Sequence, residues 1–521
     1  MIMKKPFVAT ASLIAMFSIG GALYVAINLC LNFFMPTPLP FIFFISVTHI
    51  VSMVWAIVVL CNRKRRIETR IRWAIFIIII PFFGIMSYIF LGRVYKYNKN
   101  KNYLYNKNSV SALQPKVQYD IENLKEIERL NPEFKRSFMM TFEQQKEGIY
   151  ANTEVEYLKS GNEYFSNLLN DIKNAKEYVM INCYIISEGE FLNKLTNLLV
   201  EKMNEGVRVY IIYDFLGSYG RFTTSKKRLI QEGANLIAYS PIHFPFLKWN
   251  ANYRDHRKDI SIDGQIGYLG GVNISDEYIN KSGVFGFWND SAIRIIGEGV
   301  QEIESIFQKD WNFYATKKQK KIEKLEPKFG KAIRKRFRTD EFIQVVSDGP
   351  NHDRPICLEL LLNLIHSAQN RIWLKSPYFI PPPEIINALC NAASTGLDVR
   401  ILLPGRSDKF LLLEVSKQWT KKMFENGVKI YSMNDTFIHE KAYIFDESIS
   451  FTGSSNLDYR ALFCDQQTMA LIRSNNMNKK IEEKMIHDMD KSFEYKFMPN
   501  KDLPLWKRAI VKVYNIMAPL L

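Results

Sequence analysis

The sequence contains an internal repeat, which restricts the fold more than any other feature. Each copy begins with an apolar helical pattern, at Leu168 in the first copy and at Leu361 in the second. A strand, a second helix and a second strand follow in both copies, and the second helix ends at Gly206 or Gly396. This order predicts an α/β protein with two lobes of about 170 residues each.

We expect the first lobe at residues 150–325 and the second at 326–500, with the basic segment Lys317 to Arg338 between them. Each lobe should be a mixed β-sheet flanked by helices, and a pseudo-twofold axis should relate the two. Residues 501–521 read as a C-terminal amphipathic helix, which suits either a membrane surface or packing on the soluble core.

A motif of chemically reactive residue types follows the strands of each copy. A histidine, a lysine and an aspartate recur at the same spacing, and a Gly-rich turn ending in asparagine comes after them. The first copy has His256, Lys258, Asp263, Gly270, Gly271 and Asn273, and the second has His439, Lys441, Asp446, Gly453, Ser454 and Asn456. Two such matches among 7 histidines would arise by chance in about one of a few thousand chains. The other histidines are interpreted as ordinary core or surface residues.

Alternation along a strand places the histidine and lysine of one motif on the same face. A pseudo-twofold axis would then bring two imidazoles, two ammonium groups and two asparagine amides into one pocket. Such a pocket suits a phosphodiester, because cations and donors stabilise its charged oxygens. One neutral imidazole can attack phosphorus while the other donates a proton to the leaving oxygen. We therefore predict His256, Lys258, Asp263, His439, Lys441 and Asp446 as catalytic, Asn273, Asn456, Gly271 and Ser454 as phosphate-binding, and no metal or cofactor.

The N-terminal part predicts a membrane anchor over residues 1–92 with two to three apolar helices. No charged residue lies between Lys5 and Arg63, which leaves room for two crossings, Phe7 to Met35 and Phe41 to Cys61, since about 20 apolar residues span a bilayer. A third apolar run, Trp73 to Leu91, contains Pro81 and is expected to kink or re-enter.

Flanking positive charges suggest the orientation of the anchor. Lys4 and Lys5 precede the first run, and a cluster beginning at Arg63 follows the second, so both ends of this hairpin favour the cytoplasm. The catalytic part is external if the third run crosses fully and cytoplasmic if it does not; we expect the cytoplasmic arrangement. Residues 93–149 are polar and are predicted to form an irregular linker or arm.

The net charge restricts the class of binding partner. The net charge is +16, which points to a polyanionic partner, either nucleic acid or an anionic membrane. The 6 cysteines are scattered, without the spacing of a zinc site or a disulfide framework.

The two motifs identify the chain as similar to the phospholipase D superfamily, and the wider sequence resembles bacterial cardiolipin synthases. The supporting stretches are Pro81 to Gly84, Asn252 to Lys258, Ile262 to Tyr278, Trp288 to Asp290, Asp310 to Trp311, Pro377 to Pro381 and Pro519 to Leu521.

The resemblance implies two phospholipase D-like lobes and a phosphatidyltransferase in a bacterial cell membrane. Its substrate would be phosphatidylglycerol and its product cardiolipin, with no nucleic acid partner. His256 would be the nucleophile that carries a phosphohistidine, and His439 would act as acid and then as base.

Two departures from the family pattern concern residues beyond the motifs. A carboxylate commonly orients each histidine: Asp290 fits that role for His256, but Gln467 stands where Glu is usual for the second lobe. Asp465, two residues earlier, is an alternative orienting group. The first apolar segment also exceeds the two membrane runs of the family.

Three other functions stay open. A membrane-bound phospholipase D would share this chemistry but pass the phosphatidyl group to water. A nuclease would use the same motifs, although the apolar segments argue against it. A non-catalytic membrane scaffold is supported only by Gln467.

Overall fold

The computed structural model describes residues 26, 29–30, 33, 39–62, 66–92, 114–145, 147–242, 252–282, 286–315, 340–352, 354–494 and 503–518. The chain divides into two compact units. The first comprises Met1–Lys96, Ser240–Arg254 and Lys512–Leu521, and the second comprises Tyr97–Tyr239 and Asp255–Val511.

The first unit contains the apolar helices of the anchor. Helix α1 (Leu39–Cys61) confirms the second predicted apolar run, and it is the one helix among the described residues long and apolar enough to cross a membrane. The third run is not one helix: α2 (Ile67–Ile79) stops at Ile80, and α3 (Pro81–Ser87) begins at the proline. A short π-helix (Tyr88–Gly92) follows. The predicted kink is therefore confirmed. The first run, Phe7 to Met35, lies almost wholly outside the described residues.

Apolar packing joins these helices. Val59 of α1 packs with Trp73 and Ile77 of α2 and with Tyr88. The Arg72 guanidinium donates to the backbone carbonyls of Asn515 and Ile516, both at 2.8 Å.

The second unit begins with two helices, and here one prediction is wrong. Residues 93–149 were expected to be irregular, but they include α4 (Gln114–Leu130) and α5 (Lys135–Gln145). Leu124, Ile127, Phe134 and Phe138 are buried in the core of the second lobe.

The first lobe is a 7-stranded mixed sheet in the order β1-β8-β6-β5-β2-β3-β4. Its strands are β1 (Thr153–Leu158), β2 (Tyr178–Cys183), β3 (Arg208–Asp214), β4 (Asn235–Tyr239), β5 (Lys258–Ile262), β6 (Ile266–Gly270) and β8 (Ala292–Gly297); β7 (Phe287–Asn289) lies outside this sheet. Its helices are α6 (Gly161–Lys173), α7 (Glu190–Asn204), α8 (Phe215–Ser218), α9 (Thr224–Gln231) and α10 (Val300–Tyr314).

The second lobe is an 8-stranded sheet in the order β19-β13-β12-β10-β15-β16-β18-β9. The strands of this lobe are β9 (Phe342–Asp348), β10 (Arg371–Lys375), β11 (Phe379–Ile380), β12 (Asp398–Pro404), β13 (Lys429–Met433), β14 (Thr436–Ile438), β15 (Ala442–Phe445), β16 (Ile449–Gly453), β17 (Leu457–Asp458), β18 (Gln467–Arg473) and β19 (Ser492–Glu494). The helices are α11 (Ile356–Ser367), α12 (Pro383–Ser394), α13 (Leu412–Trp419), α14 (Lys421–Glu425), α15 (Tyr459–Phe463), α16 (Asn475–Asp490) and, at the end of the chain, α17 (Leu505–Met517).

The repeat predicted from the sequence is confirmed by the sheets. Seven strands of the second lobe follow the strand order of the first, and β19 is added at one edge. The expected helix and strand order holds in both copies, with α6, β2, α7 and β3 matching α11, β10, α12 and β12. The connecting segment Lys317 to Arg338 lies outside the described residues.

Two short pairings join the lobes at the motifs. Strand β14, which leads into His439, pairs with β7, which leads into Asp290. At the related position of the other motif, Asp255 forms a β-bridge with Gln466. The segment before each motif histidine therefore lies against the opposite lobe.

Candidate active site

His256 is held by backbone and side-chain groups of the second lobe. Its backbone N–H donates to the Gln466 carbonyl at 3.0 Å. Its ring Nδ1 lies 3.1 Å from the Ser454 carbonyl and 3.1 Å from Gln467 Oε1. Because a carbonyl can only accept, Nδ1 carries the proton, and Nε2 keeps its lone pair.

His439 is held in the same way by the first lobe. Its backbone N–H donates to the Asn289 carbonyl at 2.8 Å. Its Nδ1 donates to Asp290 Oδ2 at 2.7 Å, so its Nε2 also keeps its lone pair. The ring contacts Tyr278 and Trp288, with centroids 5.3 Å and 5.5 Å away.

The orienting groups are thus exchanged between the lobes, and the expected pairing of Asp290 with His256 is wrong. Asp290 orients His439, and Gln467 orients His256. The exchange follows from the inter-lobe pairings, because each pairs the residue before an orienting group with the residue before the histidine of the other lobe. Asp465 forms an ion pair with Arg460 at 2.9 Å, which commits its Oδ1 to that guanidinium.

Gly271 and Ser454 support these orienting groups. A Cβ on Gly271 would lie 2.3 Å from Asp290 Oδ1, so only glycine leaves Asp290 in place. At the equivalent position, Ser454 donates its hydroxyl to Gln467 Oε1 at 2.7 Å. We assign both residues to positioning of the histidine partners, instead of the phosphate contact that the motif suggested.

The two motif lysines are buried beside the histidines. Lys441 Nζ lies 2.9 Å and 3.2 Å from the ring nitrogens of His439. Lys258 Nζ lies 5.2 Å from the centre of the Tyr184 ring, which packs against His256 with centroids 4.8 Å apart. Burial lowers the pKa of Lys258 to about 8 and that of Lys441 well below its usual range, and the charge of Lys258 adds to the shift of Lys441.

Burial also sets the charge states of the histidines. It lowers the pKa of both rings well below the usual value, and the charges of Lys258 and Lys441 act in the same direction. Asp290 differs from Gln467 in carrying a carboxylate, and burial raises the pKa of Asp290 to about 6. A carboxylate partner favours the imidazolium form of a histidine more than an amide partner does, and among these two rings the carboxylate partner belongs to His439.

The motif aspartates lie far from the histidines, directly after the last residues of β5 and β15. Asp263 accepts from the backbone N–H groups of Lys176, Glu177 and Tyr178 at 2.7 to 2.9 Å. Asp446 does the same at the start of β10, where its closest contact is Asn370 N at 2.7 Å. At about 3.3 Å per residue, a strand of this length separates Asp263 from Lys258 by roughly 17 Å. We therefore assign the aspartates a structural role, which corrects the catalytic role suggested by the motif.

The two asparagines are not equivalent. Asn273 Oδ1 accepts from Ile185 N at 2.9 Å, and its Nδ2 donates to the Tyr278 hydroxyl. This amide is therefore occupied by the protein, unlike the phosphate donor that was predicted. Asn456 is buried, and its Oδ1 has no hydrogen-bond partner among the described residues.

A further charged residue of the site lies between the histidine and the lysine of each motif, and the motif pattern did not predict its role. Arg257 forms a buried ion pair with Asp310 and donates to the Gln467 carbonyl at 3.4 Å. Glu440 binds Lys375 and accepts from Ser291 at 2.7 Å, next to Asp290. Their one signal in the sequence was a charged side chain at the central position of the His-x-Lys motif. Within the described ranges, no three His, Cys, Asp or Glu side chains are grouped as metal ligands.

A known protein family matches both lobes of the chain. The family described as "Cardiolipin synthase, PLD-like domain" matches residues 168–311 and 361–489, which contain both motifs. The chain belongs to the cardiolipin synthase family. A second family, described as "Phospholipase_D-nuclease N-terminal", matches residues 51–93 of the anchor.

Related proteins extend the match beyond the catalytic lobes. A cardiolipin synthase of a Geobacillus species is 31% identical over 90% of this chain and 92% of that protein. One from Alkalihalophilus pseudofirmus is 29% identical over 92% of this chain and 94% of that protein. The crystal structure of a phosphatidylserine synthase from Haemophilus influenzae has a TM-score of 0.55 at 13% identity, over 70% of this chain and 95% of that one, which shows the shared fold alone.

We expect Asp290→Asn to remove the acidic limb of the pH profile and to lower turnover at least tenfold. The raised pKa of Asp290, about 6, means that its carboxylate is charged above this pH and supports the imidazolium of His439. Wild-type activity should therefore fall as pH falls through about 6. The amide of the variant can still accept from His439 but cannot titrate.

The measurement is the rate of product formation against pH. Asp435→Asn is a matched control, since Asp435 is exposed and pairs with Arg406 at 3.1 Å. An acidic limb near pH 6 that persists in Asp290→Asn would assign it to another group.

Proposed function

We propose that this protein is a cardiolipin synthase that condenses two phosphatidylglycerol molecules into cardiolipin and glycerol. The observation that carries the proposal is the pair of buried imidazoles, each with its Nδ1 held by the opposite lobe and a motif lysine beside it. Two reactive nitrogens and two ammonium groups suit transfer at a phosphodiester. The family match supplies the phospholipid class.

In the first step, His256 Nε2 attacks the phosphorus of one phosphatidylglycerol. The bond from phosphorus to the headgroup glycerol oxygen breaks, and protonated His439 donates its proton to that oxygen. Glycerol leaves, and the phosphatidyl group stays on His256 as a phosphohistidine. Lys258 and Lys441 stabilise the charge on the non-bridging phosphate oxygens.

In the second step, the terminal hydroxyl of another phosphatidylglycerol attacks the same phosphorus. Neutral His439 takes the hydroxyl proton, the phosphorus–nitrogen bond breaks, and His256 is restored. The products are cardiolipin and a protonated His439, so protons balance over the cycle.

The exchanged partners support these roles. A nucleophile must be neutral before it attacks, and His256 faces only neutral acceptors, the Ser454 carbonyl and Gln467. A general acid must hold a proton, and His439 alone has a carboxylate partner. Asp290 therefore assists the proposed acid and base, His439, and not the nucleophile as expected from the sequence.

We further propose that the enzyme works in the bacterial cell membrane, as a multi-pass protein with its catalytic part on the cytoplasmic side. Helix α1 is apolar, and most side chains of its apolar stretch are exposed. Basic residues follow it from Arg63, and the net charge of +16 favours an anionic lipid surface.

The direct test is to incubate the purified protein with vesicles of acyl-labelled phosphatidylglycerol and to separate the lipids. We expect labelled cardiolipin, with glycerol released in equal amount. Phosphatidic acid without cardiolipin would instead indicate a hydrolase.

A chelator arm belongs in the same assay. Because the lysines provide the positive charge, we expect ethylenediaminetetraacetate to leave cardiolipin formation within about twofold of the untreated rate. Strict dependence on an added divalent ion would contradict the lysine mechanism.

A further inference from the structure

Glu440, between the histidine and the lysine of the second motif, is a buried carboxylate that takes no step in the proposed reaction. It is only 1% exposed. Its Oε1 accepts from the hydroxyls of Tyr157 and Ser291 in the first lobe, the latter at 2.7 Å. Its Oε2 accepts from the ammonium groups of Lys375 and Lys484 in the second lobe, the latter at 2.8 Å. One carboxylate thus binds two donors from each lobe.

A second carboxylate, that of Asp488, completes this group of charges. Lys375 donates to Asp488 as well as to Glu440, and Asn289 Nδ2 donates to Asp488 Oδ2 at 3.2 Å. We call Glu440, Asp488, Lys375 and Lys484 the buried charge cluster. Its two carboxylates balance its two ammonium groups, so the loss of one charge would leave another buried without compensation.

The buried charge cluster holds the backbone on both sides of Asp290. Asn289 and Ser291 flank Asp290, and both donate to carboxylates of the cluster. Lys484 Nζ donates to the backbone carbonyl of Asp290 at 3.2 Å. The backbone carbonyl of Asn289 accepts from the N–H of His439 at 2.8 Å. The cluster therefore supports the 2.7 Å contact between Asp290 Oδ2 and His439 Nδ1.

The equivalent residue of the first motif, Arg257, is arranged in the same way with the opposite charge. Its guanidinium forms a buried ion pair with Asp310. It also donates to Gln466 Oε1 at 3.0 Å and to the Gln467 carbonyl at 3.4 Å. Gln467 is the group that orients His256. In both motifs, the middle residue therefore supports the segment that orients its own histidine, which indicates a positional role.

We propose that Glu440 is a positioning residue for acid and base catalysis, which keeps Asp290 in contact with His439. The assignment rests on the proposed function and deepens it. Glu440 transfers no proton itself and acts through the segment Asn289 to Ser291. Because catalysis depends steeply on geometry, a small displacement of Asp290 slows the steps that need His439 as acid or base. Attack by His256 on phosphorus does not need this contact.

Two variants disturb the buried charge cluster to different extents. Glu440→Gln keeps the shape of the side chain, but an amide has one acceptor oxygen and cannot serve both the hydroxyl pair and the ammonium pair. Ser291→Ala is milder, since it removes one hydrogen bond to Glu440 and leaves every charge in place. Glu304→Gln is the matched control. Glu304 is also buried and accepts from Ser261 at 3.0 Å, beside the turn at Gly264 after β5.

The test compares two donors that differ in their need for an acid. Vesicles of phosphatidylglycerol report cardiolipin formation, which needs His439 in both steps. A p-nitrophenyl phosphatidyl ester reports the first step alone, as a burst of nitrophenolate that leaves without a proton. We expect Glu440→Gln to lower cardiolipin formation by about tenfold or more and Ser291→Ala by about threefold. The burst rate of both variants should stay within about twofold of the wild type.

Glu304→Gln should keep the wild-type ratio of the two rates. Equal losses with the two donors in both cluster variants would mean that Glu440 only stabilises the fold, and would overturn the proposal. Unchanged cardiolipin formation in both variants would overturn it as well. A wild-type protein that forms no cardiolipin and releases no nitrophenolate would instead contradict the proposed function.

Discussion

Replacing Lys258 or Lys441 with Met is expected to reduce cardiolipin formation at least a hundredfold. Both ammonium groups are buried next to a motif histidine. Removing one comparable donor to transition-state charge costs about 3 to 4 kcal/mol, which corresponds to more than two orders of magnitude in rate. Methionine keeps most of the length of the side chain, so the loss is mainly one of charge.

The steady-state rate with phosphatidylglycerol vesicles measures this effect. Lys194→Met is the matched control, since Lys194 is half-exposed on α7 and pairs with Glu190; its activity should be unchanged. Less than a tenfold loss in both Lys258→Met and Lys441→Met would show that the lysines do not bind the phosphate.

The fold could be predicted because its determinants are local and repeated. The helix and strand patterns beginning at Leu168 and Leu361 led to two lobes, and the two sheets share their strand order. Residues 93–149 were wrongly predicted to be irregular because charged residues dominate their composition. Its apolar positions nevertheless follow helical spacing, as Leu124 and Ile127 or Phe134 and Phe138 show.

The pairing of the orienting groups could not be predicted from motif spacing. Asp290 lies nearer to His256 in the sequence, but it contacts His439 across the lobes. That contact depends on the pairing of β7 with β14, which no pattern within one lobe encodes.

The sequence did contain a local signal for the structural role of Asp263. Asp263 precedes Gly264 between two strands, and Asp-Gly is typical of a tight hairpin turn. Both Asp263 and Asp446 have positive φ, at 53° and 51°. A turn carboxylate of this kind binds nearby backbone N–H groups, as is observed here.

His256→Ala is expected to abolish cardiolipin formation and to prevent any covalent phosphatidyl-enzyme, because His256 supplies the attacking nitrogen in the proposed mechanism and His439 acts as acid and base. His439→Ala should also lose steady-state turnover. It keeps the nucleophile, however, so a donor whose leaving group needs no proton should still load His256. A p-nitrophenyl phosphatidyl ester is such a donor.

The most direct measurement is therefore mass mapping of the phosphatidyl adduct in His439→Ala after reaction with this ester. The protein should be denatured and digested under alkaline conditions, because the phosphorus–nitrogen bond of a phosphohistidine is labile in acid. We expect one phosphatidyl group on the peptide that contains His256, and none when His256→Ala is added. An adduct on His439 of the His256→Ala variant, with none on His256 of His439→Ala, would contradict it.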